Sequence, residues 1–401
     1  MSNDEARNPA RRALCLAAAG GWVSGLGAAA RAAAAALDEA ALARVEQAVA
    51  AAVAAGRLPG AVVRVQREGS VWERAIGVRA QEPEPEPLDT QTVYDCASLT
   101  KVVATAPVLA RLMQEGALAP ETRVRALLPA FSSGEAITVG QLLTHTSGLP
   151  AGLPLEPAWE GQEMGVQLAC TRVPTHPPGT FFRYSDVNFI LLGEIARRLA
   201  GRSLDVLAQE WIFGPLAMRD TGFRPLARHP LARIAPTEWD GARMLRGHVH
   251  DPTARRMGGV AGHAGLFSTT ADLARYARML LGGGELDGVR VLQPATVTRM
   301  TAVATPTALA ERRSLGWDID SPFSRARGTR YPLGSFGHTG FTGCALWIDP
   351  HSRTFHVMLS NRVHPRARET IVALYEQVGT LAAQAAAGFD FDRVPGALPA
   401  R

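Results

Sequence analysis

The stretch CASLTKVVAT, Cys96 to Thr105, holds the only lysine of the chain, although lysine and arginine together number 42. Arginine stays protonated at any working pH. Lysine gives up its proton when it is desolvated or crowded by positive groups. A chain that writes Arg wherever a charge suffices, yet keeps Lys101 three residues after Ser98, points to an amine that exchanges a proton. Helical patterning starts near Ser98 and runs toward Gly116, with Pro107 as an expected kink, so Ser98 and Lys101 share one face. A serine is a weak nucleophile until a base sits beside it, and a neutral lysine supplies one. Free N–H groups at a helix start also favour the negative charge of a carbonyl adduct. Ser98 suits a plain N-cap equally well, so the reading depends on partners elsewhere.

Two further stretches supply candidates. FFRYSDVNFILLG, Phe181 to Gly193, places Tyr184, Ser185 and Asp186 at a loop-to-helix start. A tyrosine beside a cationic amine serves as a general base; the plain alternative is a core tyrosine at a turn. SFGHTGFTG, Ser335 to Gly343, sends His338, Thr339 and Gly340 into a strand. A glycine on an edge strand lets a substrate carbonyl reach backbone N–H groups, an oxyanion hole shared with the Ser98 N–H. The alternative there is a glycine-rich hairpin.

Around these, Leu37 to Ala55 reads as a helix stopped by Gly56 and Pro59-Gly60. Ala61 to Ala80 reads as two strands about a turn at Glu68-Gly69. EPEPEP, Glu82 to Pro87, reads as an exposed loop unable to pair in a sheet. Thr138 to Gln141 has the form of a capping box before LLTHTSGLP. Ile190 to Leu199 is helical, and Thr269 to Asp272 caps another helix that ends in glycines. Strands return from Ser314, Arg366 to Ala387 forms a last helix, and Phe389 to Arg401 has no clear structure. The expected class is α+β: an antiparallel sheet from the N- and C-terminal parts, flanked by helices, with a mostly helical insertion. The expected boundaries are 1–36 as a leader, 37–387 as the folded unit and 388–401 as a tail. Within the folded unit, about 37–97 and 258–387 build the sheet and about 98–257 is helical.

Composition narrows the function classes. The pI is about 9.4, but the net charge is only +5 and no arginine run exceeds two residues, so nucleic acid is not an expected partner. No GxGxxG turn or P-loop occurs, which argues against nucleotide binding. Arg11-Arg12 before ALCLAAAGGWVSGLGAAA resembles a twin-arginine export signal. No other apolar run is long enough to span a membrane. Export would place the mature protein in the periplasm or outside the cell. Cys15 would leave with the leader. Cys96, Cys170 and Cys344 have no metal-like spacing and read as small buried residues or as a disulfide pair plus one.

SLTK, YSD and HTG stand in the order of S-x-x-K, Y-x-N and [KH]-T-G, and the chain thereby resembles the penicillin-recognising serine enzymes. The best match is the group of class C β-lactamases, low-molecular-mass D-Ala-D-Ala carboxypeptidases and family VIII esterases. LLTHTSGLP, GGVAGHAGLFSTTADLARYARMLLGGG and FGHTGFTGCALWIDP extend the likeness over Leu37 to Ala387. The resemblance implies a β-lactamase/transpeptidase-like fold, an acyl-enzyme on Ser98, and a coupled Lys101–Tyr184 base. It implies an oxyanion hole from the N–H groups of Ser98 and Phe341. Asp186, His263, His338, Thr339 and Gly340 would bind substrate, with His338 and Thr339 facing a carboxylate. No cofactor or metal is implied. The partner is a small molecule or peptide: a cell-wall D-Ala-D-Ala peptide first, an ester second, a β-lactam third.

Two positions depart from the pattern. Asp186 replaces an Asn that would donate to a substrate carbonyl, which an ionised carboxylate does not do. His338 replaces the Lys of most β-lactamases and is mostly uncharged near neutral pH, so its grip on a carboxylate should be weaker. The class A signature E-x-x-L-N is missing from the sequence. From other classes, a non-catalytic penicillin- or peptide-binding module remains open. So does a zinc hydrolase built on His248, His250, Asp251 and His263. His145 reads as a loop-satisfying residue, while Trp159 and Trp239 either wall the pocket or pack.

Overall fold

The structure is a computed structural model that describes residues 36–132, 136–367 and 369–395. The expected leader at 1–36 and the end of the expected tail lie almost wholly outside the described residues. Helix α1 (Glu39–Ala54) is capped by Asp38, whose carboxylate accepts the Ala41 N–H at 2.7 Å. Alanine costs little entropy in a helix. Leu42, Val45, Val49 and Ala52, three and four apart, bury one stripe. The hairpin follows as β1 (Gly60–Arg67) and β2 (Ser70–Ala80), with Arg67 opposite Ser70 across the turn.

The proline tract departs from its expected loop. Glu86–Pro87 forms β3 and pairs with Val78 and Ala80 of β2. Proline is tolerated there because β3 is the outermost strand and needs no further N–H donor. Glu86 is also pinned, since Arg246 donates to both its carboxylate oxygens at 2.6 Å.

Strands β4 (Arg312–Arg313), β5 (Asp318–Asp320), β6 (Phe336–Gly340), β7 (Cys344–Asp349) and β8 (Thr354–Ser360) complete an eight-stranded sheet. Its order is β4-β5-β6-β7-β8-β1-β2-β3 and the pairs are antiparallel. The two ends of the chain meet where Ala61 of β1 faces Ser360 of β8. The helices that matter for the site are α1, α2 (Ala106–Gln114), α3 (Asp186–Ala200), α4 (Thr270–Leu281) and α5 (Val372–Gln384). On one face of the sheet, Val63 and Trp347 pack with Val49 of α1 and Val378 of α5. On the other, Val62, Leu346 and Val357 join Val108, Phe189 and Tyr276 from α2, α3 and α4. Neighbours along β1 thus enter opposite cores, as strand alternation requires. With both faces covered, β7 and β8 are buried along their whole length. The architecture is α+β, as the sequence reading expected.

A second, three-stranded sheet joins Tyr94–Asp95, Leu266–Ser268 and Gly222–Phe223. Its segments are far apart in sequence and two or three residues long, so no periodicity announces them. It fixes the chain just before Ser98.

Candidate active site

Leaving Asp95, the backbone turns through Ala97 at φ +45°, a left-handed conformation that costs a β-carbon-bearing residue about 1–2 kcal/mol. The surroundings hold the turn in place. Asp95 Oδ1 accepts the Ala97 N–H at 2.9 Å, and Oδ2 accepts the His250 N–H at 2.7 Å. The Cys96 N–H donates to the Leu266 carbonyl at 2.9 Å, and Thr100 Oγ1 donates to the Ala97 carbonyl at 2.6 Å. Ser98 is therefore presented half-buried on a clamped turn. Behind it, Lys101–Thr105 winds as a π-turn before α2. Pro107 explains the wider turn: it has no N–H for the carbonyl four residues back, and its ring crowds that carbonyl. The expected kink takes this form.

Lys101 is wholly buried, with Nζ 3.0 Å from Ser98 Oγ, 3.0 Å from the His263 carbonyl and 2.7 Å from Asp186 Oδ1. Burial alone would lower its pKa, but the Asp186 carboxylate and Tyr184 outweigh burial and raise it. The sequence reading expects a neutral amine. The geometry instead holds an ammonium in the resting site, because the residue that departs from the family pattern is a carboxylate in contact with it.

Each partner has its own support. Gly262 lets the His263 carbonyl reach Lys101, since a β-carbon there would fall 1.9 Å from the Phe189 carbonyl oxygen. Asp186 is the first residue of α3, and Ser185 caps the helix through its side chain. His145 accepts the Ser185 N–H on Nδ1 at 3.0 Å, and its ring stacks on Tyr184 at 4.5 Å. Burial first, then Arg313 and Lys101, push the His145 pKa well down, so the ring stays neutral. It positions Tyr184, whose own ring centre lies 5.0 Å from Lys101 Nζ.

From the sheet side, β6 brings His338, Thr339 and Gly340 against the serine turn. A β-carbon on Gly340 would sit 2.5 Å from the Cys96 carbonyl oxygen, which is why a glycine stands there. Phe341 follows directly, with its side chain 58% exposed. His338 Nδ1 contacts the Thr339 carbonyl oxygen at 2.8 Å, and the ring is buried. Burial, helped by Arg313 and Lys101, depresses its pKa strongly. The expected weak electrostatic grip on a carboxylate is thus none at neutral pH.

Ser98, Tyr184, Asp186, His263, His338, Thr339, Gly340 and Phe341 all line one cleft of about 650 Å³, and Lys101 reaches it through Ser98. The sequence reading missed Arg313, a fully buried guanidinium 3.3 Å from Asp318 and 6.0 Å from the Tyr184 ring centre. Its Arg312-Arg313 context looks like any surface pair and gives no signal. Trp159 and Trp239 bond to the Pro154 carbonyl and to Glu82, and neither lines the cleft. Cys96, Cys170 and Cys344 are free and buried.

The histidines of RGHVHD do not converge: His248 meets Arg243, whereas His250 Nε2 bonds Glu238 at 2.8 Å. Among the described residues, Asp186, Asp251 and His263 do place one possible ligand atom each within 4.8 Å of one another. However, Asp251 is engaged by the His263 ring at 2.8 Å, and the Lys101 ammonium touches Asp186. Burial would raise the Asp251 pKa, but His263, the Ala254 N–H and Lys101 together hold it well below the usual carboxylate range. A dication would have to displace or neutralise that ammonium, so the donor set fits a protonated lysine better than zinc.

The beta-lactamase family model matches residues 45–379. The chain belongs to the beta-lactamase family. An Escherichia coli (strain K12) protein provisionally named D-alanyl-D-alanine carboxypeptidase is 35% identical over 314 residues, 70% of this chain and 71% of that protein. A Bacillus subtilis (strain 168) protein named N-acetylmuramyl-L-alanine amidase is 31% identical over 362 residues, 80% of this chain and 81% of its own. A penicillin-binding-protein homologue from Caulobacter crescentus superposes with TM-score 0.69 at 24% identity, covering 86% of this chain and 97% of that one. The hydrolase EstCE1 superposes with TM-score 0.70 at 21% identity, covering 86% and 99%. These structures share the fold. Family membership makes this chain a serine hydrolase of the β-lactamase and penicillin-binding-protein superfamily. Among the described residues, no helix is long and apolar enough to cross a membrane.

Proposed function

We propose that the chain is an exported hydrolase of the D-Ala-D-Ala carboxypeptidase type that acts through an acyl-enzyme on Ser98. The observation that carries the reading is Lys101 Nζ, held at once against Ser98 Oγ and Asp186 beside Tyr184. Ser98 Oγ attacks the carbonyl carbon of the scissile bond. Its proton passes into the Tyr184–Lys101–Asp186 cluster, with Tyr184 as the general base. The Lys101 ammonium favours negative charge on its neighbours while the proton is in transit. The N–H groups of Ser98 and Phe341 receive the oxyanion. Collapse expels D-alanine, whose amine takes the proton back from the cluster. Water then attacks the Ser98 ester and frees the acyl group. The relatives named for carboxypeptidase and amidase activity support a cell-wall peptide as substrate, and the paired-arginine leader supports export.

A second reading rests on the apolar part of the cleft lining. Phe323, Phe341 and Val372 line it with 45%, 58% and 40% of their surface exposed. Such an apolar shelf suits an ester with a hydrophobic acyl group. The test is release of free D-alanine from an N-acylated L-Lys-D-Ala-D-Ala peptide. The carboxypeptidase reading expects release by the wild type and none by Ser98→Ala. No release, with a p-nitrophenyl ester still turned over, selects the esterase.

A further inference from the structure

Two of the buried thiols stand together at the foot of the serine turn. Cys96 precedes Ser98 by two residues, and Cys344 opens β7 three residues after Phe341. The Cys344 thiol donates at 3.4 Å to the Asp95 carbonyl, part of the peptide unit that leads into Cys96. The Cys96 thiol turns to the Tyr94 carbonyl at 3.5 Å. A β-carbon on Gly340 would lie 3.2 Å from the Cys344 β-carbon and 3.3 Å from the Cys96 carbonyl carbon, so the two cysteines flank one glycine. Burial, and then the neighbouring Cys344 thiol, push the Cys96 pKa well up. Cys170 lies apart, at the end of the helix Gln162–Cys170, with Arg198 and Glu194 of α3 for neighbours.

We propose that Cys96 and Cys344 close into a disulfide that clamps the serine turn to the hairpin of β6 and β7. The pairing goes beyond the acyl-enzyme reading and does not depend on it. The oxidant is a low-molecular-weight disulfide such as glutathione disulfide. One cysteine thiolate attacks it, forming a mixed disulfide and releasing one glutathione thiol. The second cysteine then displaces the other glutathione. The two protein sulfurs give up two electrons and two protons, which leave on the two glutathione thiols. Neither side chain has exposed surface in the folded chain, and a raised pKa leaves Cys96 little thiolate. Closure therefore belongs to the folding chain, before the turn is covered. In the thiol form the turn and the hairpin are held by Thr342 Oγ1, which donates to the Asp95 carbonyl at 2.7 Å, and by Gly340 against the Cys96 carbonyl. The disulfide adds a covalent tie across a loop of about 250 residues, and the entropy it removes from the unfolded chain grows with that length. It also keeps the N–H groups of Ser98 and Phe341 at a fixed spacing when the rest of the fold loosens.

The test refolds the full chain from urea in a mixture of reduced and oxidised glutathione. Remaining thiols are blocked with iodoacetamide in denaturant, and the tryptic peptides are mapped by mass. The pairing expects residues 80–101 joined to residues 331–353, with Cys15 and Cys170 alkylated. The linked protein should unfold at a urea midpoint at least about 1 M above that of the dithiothreitol-reduced protein. Turnover of a p-nitrophenyl ester should persist to correspondingly higher urea. In Cys344→Ala and in Cys96→Ala the oxidised and reduced midpoints should coincide. Alkylation of both Cys96 and Cys344 after oxidation, or a link from either to Cys15 or Cys170, overturns the pairing. The expected link with a midpoint shift below about 0.2 M overturns the clamp. The peptide map uses no catalytic readout, so it stands or falls apart from the role of Ser98.

Discussion

Lys101 Nζ and Asp186 Oδ1 lie 2.7 Å apart, the lysine with no exposed surface and the aspartate about one-third exposed. This pair reconciles the lone lysine with a site that keeps it charged. The carboxylate stabilises the ammonium against burial, and the ammonium in turn stabilises whatever negative charge forms beside it.

Asp186→Asn removes the carboxylate that raises the Lys101 pKa, leaving burial, which lowers it, less opposed. The proton should then leave at lower pH. The alkaline limb of kcat/KM against pH, measured with a p-nitrophenyl ester, should move to lower pH, because the working ammonium is lost sooner. The new amide also donates to a substrate carbonyl, so acylation by penicillin should quicken relative to ester hydrolysis. An alkaline limb that stays put or moves upward contradicts the pairing.

Lys101→Arg keeps the charge but not the proton exchange of the wholly buried amine beside Ser98. Ester hydrolysis should fall by about 10³-fold or more, within the range for general acid–base groups. Circular dichroism should show the fold retained. Turnover within tenfold of wild type would remove Lys101 from proton transfer.

Gly340→Ala forces a β-carbon to within 2.5 Å of the Cys96 carbonyl oxygen. The end of β6 must then move away from the serine turn, carrying the Phe341 N–H with it. The kcat should drop about 10²-fold, the scale for losing one oxyanion donor, with a smaller change in KM. Equal kcat values would separate β6 from the oxyanion hole.

Acid should unfold the protein through its buried histidines. Burial pushes the His356 pKa from 6.5 down to about 3, and His145 and His338 move in the same direction. Below pH 6.5 the unfolded chain takes up protons that the folded chain refuses. Stability contributed by these rings is complete above that pH and is lost as pH falls toward the folded value. Each such ring adds a slope of about 1.4 kcal/mol per pH unit in that window. His356→Leu should flatten the urea-unfolding free energy between pH 6 and pH 4 by about that slope. An unchanged slope would mean that His356 titrates in the folded protein.

What the sequence revealed follows from range. Local patterns were readable: the α1 stripe, the turn at Glu68-Gly69 and the capping box at Thr138, whose side chain accepts the Gln141 N–H. The motif residues were readable because their chemistry constrains residue type as well as pattern. The pairing of Glu86–Pro87 was not, since proline denies a strand only where its N–H is needed, and edge position is a property of the whole sheet. The charge state of Lys101 was not, because it depends on an aspartate 85 positions away that arrives only on folding. Arg313 was hidden among many arginines. Only the folded structure shows that it is buried beside Tyr184.

The central claim is the acyl-enzyme on Ser98. The most direct measurement is the intact mass after brief reaction with excess penicillin, or with a p-nitrophenyl ester, quenched in acid and compared with Ser98→Ala. The account predicts one adduct, mapped to the peptide carrying Ser98 and missing from the variant. An adduct on Ser98→Ala, or turnover of either reagent by that variant at the wild-type rate, would contradict it.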